Sequence, residues 1–231
     1  MKVDKKKFES WNEEMAKKYN PEIYYKNPNF IIRFVEKKRI KGIVKLLSIK
    51  NSDKIIELGC GAGNIIETIK IGKEIVGVDL SDFLLGLARK KNYFRPIKFI
   101  KANVEKLPQE ITDLRFDKIY CSEVLEHLEN PQNTLKEVRK IAKKNSIIVI
   151  SVPNEKLINI IKKFFQKLKI FSLIFPGISK KMDEEWHLHS FGLIKLKKMV
   201  KDDYIIEKIK RIPFNFLPLR YIIKLRIKND Q

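Results

Sequence analysis

Three groups of residues in this 231-residue chain have the types and spacing that chemistry requires. The first is a pair of acids around a glycine turn. Glu57 ends a β-branched run and is followed by Gly59-Cys60-Gly61-Ala62-Gly63, and Asp79 closes a second such run, Glu74 to Val78. Glycine admits positive φ and lets a ligand approach the backbone closely. An acid at the end of the second strand of a strand–helix–strand nucleotide fold holds ribose hydroxyls. Glu57 would repel a pyrophosphate, and the alternating glycines lack the Gly-x-Gly-x-x-Gly dinucleotide spacing. S-adenosylmethionine has no phosphate and carries a sulfonium and an ammonium, so the same acid favours it. The second group is Glu123, Glu126 and His127; on a helix these would share one face at i, i+3 and i+4. The third is Trp186-His187-Leu188-His189, which holds the other two histidines of the chain. Glu123, Glu126, His127 and His189 make a reasonable divalent-metal set, and a metal could acidify an acceptor hydroxyl. Without a metal, His127, Glu123 and His189 are candidates for a proton acceptor or an acceptor-pocket wall. A structural role is the third reading, and all three stay open on the sequence.

These residues need a frame that brings them together. Lys54 to Leu58 reads as a strand, the glycine turn follows, and Ile65-Ile66-Thr68-Ile69 has helical period. Ser81-Asp82 is an N-cap signal for an apolar-periodic helix through Ala88, which Arg95-Pro96 breaks. Further strands are expected at Ile97 to Ile100, leading to Asn103, and at Phe116 to Cys121. Pro131 opens a helix running from Leu135 to Ala142, and Ser146 to Val152 is nearly continuous in apolar residues, as a strand buried on both faces should be. Tyr204 to Ile212 and Tyr221 to Ile227 supply two late strands. Strands alternating with helices imply an α/β, Rossmann-like, doubly wound and mostly parallel sheet, with its site at the carboxyl ends of the strands.

Glu57-Leu58-Gly59-Cys60-Gly61-Ala62-Gly63 resembles the first motif of class I S-adenosylmethionine-dependent methyltransferases. Val78-Asp79-Leu80-Ser81, Phe99 to Pro108 and Phe116 to Pro131 are similar to the blocks that follow it. The resemblance runs from residue 40 to 155, with a further match near 186–200. It implies a seven-stranded sheet with an antiparallel last strand, and a cofactor site. There Gly59, Cys60, Gly61 and Gly63 form the turn, Glu57 orients it or the ammonium, and Asp79 takes both ribose hydroxyls. Leu80 packs on adenine, Asn103 faces the adenine amine where the family usually has Asp, and Val104 belongs to the same block. Cys121 and Ser122 border the methyl group. The Glu-x-x-Glu-His spacing of Glu123, Glu126 and His127 resembles two metal-using branches, the quinone-biosynthesis O-methyltransferases and the small-RNA 2′-O-methyltransferases. Many metal-free members carry a similar Leu-Glu-His-Leu.

The length fits one methyltransferase domain over residues 1–231. An aromatic-rich N-terminal segment, 1–38, places Phe8, Trp11, Met15 and Tyr19 on one helical face, and the resemblance implies a lid over the cofactor. Residues 156–185 form an insertion; from Lys156 to Lys181 it has seven lysines and no acid, and Leu157, Ile160, Ile161, Phe164, Leu168, Phe171 and Phe175 recur at helical spacing. Such a segment either caps the site or lies on a membrane or RNA surface. No leader or transmembrane pattern is present and the two cysteines form no disulfide framework, so a cytoplasmic protein, peripheral to a membrane at most, is expected. The net charge of +21 points to an anionic partner, RNA or a membrane surface, or to a solvated basic exterior. No Asn-Pro-Pro-Tyr or Pro-Cys signature marks adenine amine or cytosine C5 methylation. The expected activity is methyl transfer to a hydroxyl of a small or lipid-linked acceptor. RNA 2′-O-methylation with a divalent metal and a non-catalytic partner subunit are the alternatives.

Overall fold

The computed structural model describes residues 5–179 and 181–228. Among the described residues three helices precede the sheet: α1 (Lys5–Lys18), α2 (Glu22–Tyr25) and α3 (Phe30–Leu47). α3 begins at Asn29, whose Oδ1 accepts from Ile31 N at 2.8 Å, a cap that contributes about 0.5–2 kcal/mol. The alternating part follows as β1 (Lys54–Leu58), β2 (Glu74–Asp79), α4 (Asp82–Arg89), β3 (Lys98–Lys101), α5 (Gln109–Thr112), β4 (Phe116–Ser122), α6 (Pro131–Ile141) and β5 (Ala142–Pro153). Among the described residues four helices then intervene, α7 (Glu155–Lys167), α8 (Phe171–Ile174), α9 (Met182–Trp186) and α10 (Leu193–Val200), before the closing strands β6 (Tyr204–Pro213) and β7 (Pro218–Ile227).

The described strands form one seven-stranded sheet of order β3-β2-β1-β4-β5-β7-β6. β1 to β5 pair in parallel, whereas β7 runs antiparallel to both β5 and β6. The order reverses between β1 and β4, which opens the crevice at their carboxyl ends. Side chains alternate across the sheet. Ile56, Leu58, Ile119, Cys121, Ile148 and Ile150 face α6 and α10, through Leu135, Val138, Leu196 and Val200. Ile55, Ile75, Tyr120, Val149 and Ile222 face α3 and α4, through Ile43, Leu47 and Leu85. Because both faces are covered, the central strands read as unbroken apolar runs.

One expected helix does not form. After the glycine turn, Ile65-Ile66-Thr68-Ile69 makes only a 3₁₀ turn, Ile66–Thr68, and Ile69 is already extended. β-branched side chains have modest helix propensity, and β2 begins at Glu74, so one turn and a return loop fill the connection. Ile65, Ile66 and Ile69 are nonetheless buried, so the periodicity reported burial and not helix length.

Two glycines give opposite expectations. A Cβ on Gly77 in β2 would lie 2.9 Å from Ile66 Cδ1 and from the Phe99 ring, whereas one on Gly86 in α4 would meet nothing within 4 Å. Gly77→Val should lower stability by about 1–3 kcal/mol through overpacking. Gly86→Ala should raise it by about 0.5–1 kcal/mol, both read as shifts in thermal or urea midpoint.

Candidate functional site

The glycine turn is fixed by the strand beside it. The N–H groups of Gly59 and Cys60 both donate to Val78 O, at 2.8 and 2.9 Å. Gly59 and Gly63 have φ of +74° and +73°, and a Cβ at either would fall 2.3 Å from a neighbour, Val124 Cγ2 or Tyr93 Oη respectively. Conformation and space therefore both require glycine there. Asp79 closes the turn: its Oδ2 accepts from Gly61 N at 2.7 Å and its Oδ1 from Ser81 N at 2.9 Å. Glu57, almost fully buried, accepts from Tyr120 Oη at 3.0 Å. Burial pushes the Asp79 carboxyl up and the Glu57 carboxyl well above the usual carboxylate range. Neither forms an ion pair among the described residues, and two desolvated acids without a countercharge at a cleft are candidates for a functional site.

A cavity of about 350 Å3 opens there, at the carboxyl ends of β1, β2, β4 and β5. Glu57, Gly59, Cys60, Gly61 and Asp79 line it, as do Leu80, Asn103, Val104 and Ser122. Asn103 Oδ1 already accepts from Glu105 N at 2.8 Å, so the side chain is held by its own turn. Gly63 acts behind the wall, against Tyr93. Cys121 was expected beside the methyl group, but strand alternation sends Tyr120 and Ser122 to one side and buries the Cys121 thiol with Leu125 and Ile150 on the other. The outer wall comes from distant segments. Phe8 and Tyr19 of α1 line the cavity, as do Ile31 and Ile32 of α3, Ile158 and Ile161 of α7, and Trp186 of α9. Tyr19 stacks on Trp186 with ring centres 6.2 Å apart, and both Lys18 and Tyr19 donate to Glu185. Glu13 of α1 accepts from Ser81 Oγ at 2.6 Å and Phe83 N at 3.1 Å, which fastens α1 to the start of α4.

A buried polar chain crosses the cavity floor, and its members on α3 and β7 have no local motif in the sequence. Arg39 donates to Ser122 Oγ, to Tyr25 Oη at 2.6 Å and to Glu36 Oε2 at 2.6 Å. Ser122 and Ser151 hydroxyls lie 2.9 Å apart, and Ser151 Oγ donates to Glu123 Oε1 at 2.8 Å. Arg220 of β7 pairs with the other Glu123 oxygen at 2.6 Å. Since Ser151 has one proton and gives it to Glu123, Ser122 must donate to Ser151.

The expected helical face of Glu123, Glu126 and His127 is absent. Glu123 has φ of +55°, and only Leu125–His127 forms a 3₁₀ turn, so the three side chains diverge. Glu123 turns to Ser151 and Arg220. Glu126 is 1% exposed and its Oε2 has no partner among the described residues; burial first, then the Glu123 charge, pushes its carboxyl well up. His127 Nδ1 lies 3.2 Å from Trp186 O, and burial, then the neighbouring His187, lowers its pKa to about 3. His189 does not join them. Leu188 N and His189 N both bond to Glu126 O, which turns the His189 ring outward onto Glu129 O. His187 takes the inner position, with its Nδ1 3.0 Å from Glu155 Oε1. Thus Glu126, His127 and His187, and not the expected set with Glu123 and His189, bring one ligand atom each within 4.8 Å of the others.

Comparison with known proteins fits this architecture. A family model described as a methyltransferase domain matches residues 49–207. The ubiquinone biosynthesis O-methyltransferase of Pelagibacter ubique is 30% identical over 169 residues, 67% of each chain. Its mitochondrial counterpart in Schizosaccharomyces pombe is 31% identical over 111 residues, covering 46% of this chain and 39% of that one. Among solved structures, magnesium protoporphyrin IX methyltransferase from Synechocystis PCC 6803 with bound S-adenosylhomocysteine shares the fold at a TM-score of 0.68 and 16% identity, over 98% of this chain and 100% of that one. An N-methyltransferase from Bradyrhizobium japonicum WM9 does so at 0.64 and 14%, over 96% and 98%. Sheet order, the acid-flanked glycine turn and a family model spanning most of the sequence agree, and the chain belongs to the class I S-adenosylmethionine-dependent methyltransferases.

Proposed function

We propose that this methyltransferase alkylates a hydroxyl oxygen on a small or lipid-linked acceptor. The observation that carries the reading is the pairing of an apolar outer wall with the His187 imidazole, which Glu155 holds from its Nδ1 side. Ile31, Ile158, Ile161, Phe171 and Phe175 line the outer cavity, which suits an acceptor with an apolar body. Deeper in, His127 Nδ1 faces a carbonyl and His187 Nδ1 a carboxylate, so both must carry their proton on Nδ1. A neutral ring in that tautomer leaves Nε2 as the basic atom. The names of the relatives, O-methyltransferases of ubiquinone biosynthesis, support oxygen as the target. Carboxylates around the cavity, including Glu57, Asp79, Glu123, Glu126 and Glu155, outnumber Arg39, Lys162 and Arg220. That balance disfavours a polyanionic acceptor such as RNA.

S-adenosylmethionine supplies a methyl carbon open to direct displacement, with the sulfur leaving as a neutral thioether. The residues then divide the work. Asp79 binds the ribose hydroxyls with the lone pairs that Gly61 and Ser81 leave free, and Glu57 offsets the positive charge. Leu80 and Val104 pack on adenine, and Asn103 faces its amine. The α1 and α9 segments exclude water, with α1 (within residues 1–38) as lid and α7 to α9, which cover the expected insertion 156–185, as the acceptor-side wall. The acceptor proton passes to Nε2 of His187, with His127 beside it and Glu155 stabilising the imidazolium. Alignment of acceptor oxygen and methyl carbon is the main catalytic contribution. A divalent ion would be held by Glu126, His127 and His187 and would acidify the acceptor hydroxyl. The unpartnered Glu126 Oε2 fits that donor set, while the fixed tautomers serve proton transfer equally well without an ion.

Asp79→Asn should weaken S-adenosylmethionine binding roughly ten- to a hundredfold, because hydrogen bonds to a charged acceptor are worth about 1.5–3 kcal/mol; calorimetry reads it. Turnover should survive EDTA, and elemental analysis should find no stoichiometric divalent ion; activity lost to the chelator and restored by Mg2+ or Mn2+ would assign the cluster to metal. His127 contributes a pH signature. Its folded-state pKa of about 3 lies below the ordinary 6.5, so its contribution to stability is full above pH 6.5 and is lost as pH falls from there toward 3. His127→Gln should therefore flatten the fall in melting temperature across that interval.

A further inference from the structure

Several aromatic residues that no core uses form a band joined by ring contacts and one hydrogen bond, with the exposed Phe94 standing apart from it. Phe164 and Phe165 of α7 have ring centres 5.4 Å apart, and Phe165 meets Phe175 at 5.6 Å. Asn29 donates to Ile174 O, which brings the start of α3 against this segment. Phe30 follows, and Phe34 stands one turn further along α3. Phe34 meets Phe214 on the β6–β7 connection at 6.0 Å, and Phe214 stacks on Phe216 at 5.3 Å with planes 5° apart. The band is turned outward: Phe30 is 71% exposed, Phe164 57%, Leu173 81% and Phe216 84%. Ordinary surfaces scatter such residues singly, and a continuous band of them marks an interaction site. It also borders the cavity mouth, since Phe175, Ile31 and Leu219, neighbours of its members, line the cavity.

The charge beside the band is of one sign. Lys38 Nζ lies 5.3 Å over the Phe34 ring. Lys38, Lys45 and Lys208 surround Lys210, and burial followed by their like charge depresses its pKa. None of these four lysines has a carboxylate ion-pair partner among the described residues, and β6 is an edge strand, so the cluster faces outward. Exposed Lys163 and Lys167 continue the basic flank on α7. Lys162, which the sequence pattern groups with them, is instead held inward by Asp183 at 2.5 Å. Exposed aromatics inside a basic flank fit the boundary between acyl chains and anionic headgroups. No described helix is long and apolar enough to span a bilayer, so the contact is interfacial.

We propose that the Phe164–Phe175, Phe30–Phe34 and Phe214–Phe216 band, flanked by Lys38, Lys45, Lys208 and Lys210, docks the enzyme on an anionic phospholipid bilayer with the cavity mouth against the membrane. The proposal deepens the lipid-linked reading of the acceptor and rests on it for its purpose, although not for its test. A nucleic acid would use the lysines but has no need of the aliphatic Leu173 and Leu217 at the band's edges.

Flotation with vesicles of about 30% phosphatidylglycerol in phosphatidylcholine tests the surface without any acceptor. The wild type should float with these vesicles and not with pure phosphatidylcholine. Phe30→Ser/Phe216→Ser and Lys208→Glu/Lys210→Glu should each lower partition roughly tenfold or more, since each removes apolar insertion or reverses charge. S-adenosylmethionine affinity, measured by calorimetry on the same proteins, should stay unchanged and certify their folding. Wild-type protein left unbound, equal flotation on neutral vesicles, or aromatic variants that float like wild type would each overturn the proposal. Salt-sensitive RNA binding by wild type that ignores the vesicles would overturn it in favour of nucleic acid. Failure of the acceptor reading would appear separately, as vesicle binding without methylation of any lipid fraction.

Discussion

A carboxylate taken out of water is costly unless something in the fold answers its charge or its lone pairs. The carboxyl edge of this sheet gathers several, and the surrounding architecture is arranged to answer them. Asp79 is met by two backbone N–H groups, Glu57 by the Tyr120 hydroxyl, and Glu36 by Arg39. Glu123 is met by Ser151 and Arg220, and Glu155 by His187. Each answer ties a different part of the chain to the same place: α3 through Arg39, β7 through Arg220, the segment after α9 through His187. Glu57, Asp79 and Glu126, which hold no cation among the described residues, face the cavity, where an incoming positive charge or a set of hydroxyls can satisfy them.

What could be read from the amino-acid order follows from distance along the chain. The cofactor end is local: a strand, three glycines, an acid and a second strand ending in an acid all lie within Lys54 to Asp79. Strand alternation and burial then give the sheet, and the closing antiparallel strand follows from the family resemblance. The proposed acceptor end is assembled from positions as far apart as Arg39, Ser122, Glu155, His187 and Arg220, which share no spacing and become neighbours only in three dimensions. Two local patterns also pointed to the wrong conformation. Isoleucines at helical spacing after the glycine turn were buried without making a helix, because β-branched residues in a short connection settle for one turn. Glu123 stands at positive φ, which breaks the face that i, i+3 and i+4 spacing implied. The choice between His187 and His189 turned on two backbone N–H bonds to Glu126 O, a contact across sixty residues that spacing does not encode.

Charge is partitioned between inside and outside. A chain with a net charge of +21 places acids around its cavity and sends its lysines outward. The acids line a cavity that suits a cationic methyl donor, whereas the outward lysines suit the anionic bilayer proposed above, and water and salt screen those exposed charges more than the buried ones. The long α7 serves both. Ile158 and Ile161 look into the cavity, while Ile160, Phe164 and Leu168 on its other side face outward.

The position of β7 between β5 and β6 has a consequence for how the protein is made. β6 touches the rest of the sheet only through β7, so on the ribosome it emerges before its sole partner exists. Its own apolar positions have no strand to rest on until residues 218–227 follow. Until then α3 is the earlier element that β6 packs against, and its pairing with β7 can form only once those residues are present. The seam between β5 and β7 needs the same late residues, and it is the seam that brings Arg220 to Glu123, so the cavity floor is complete only when they are in place.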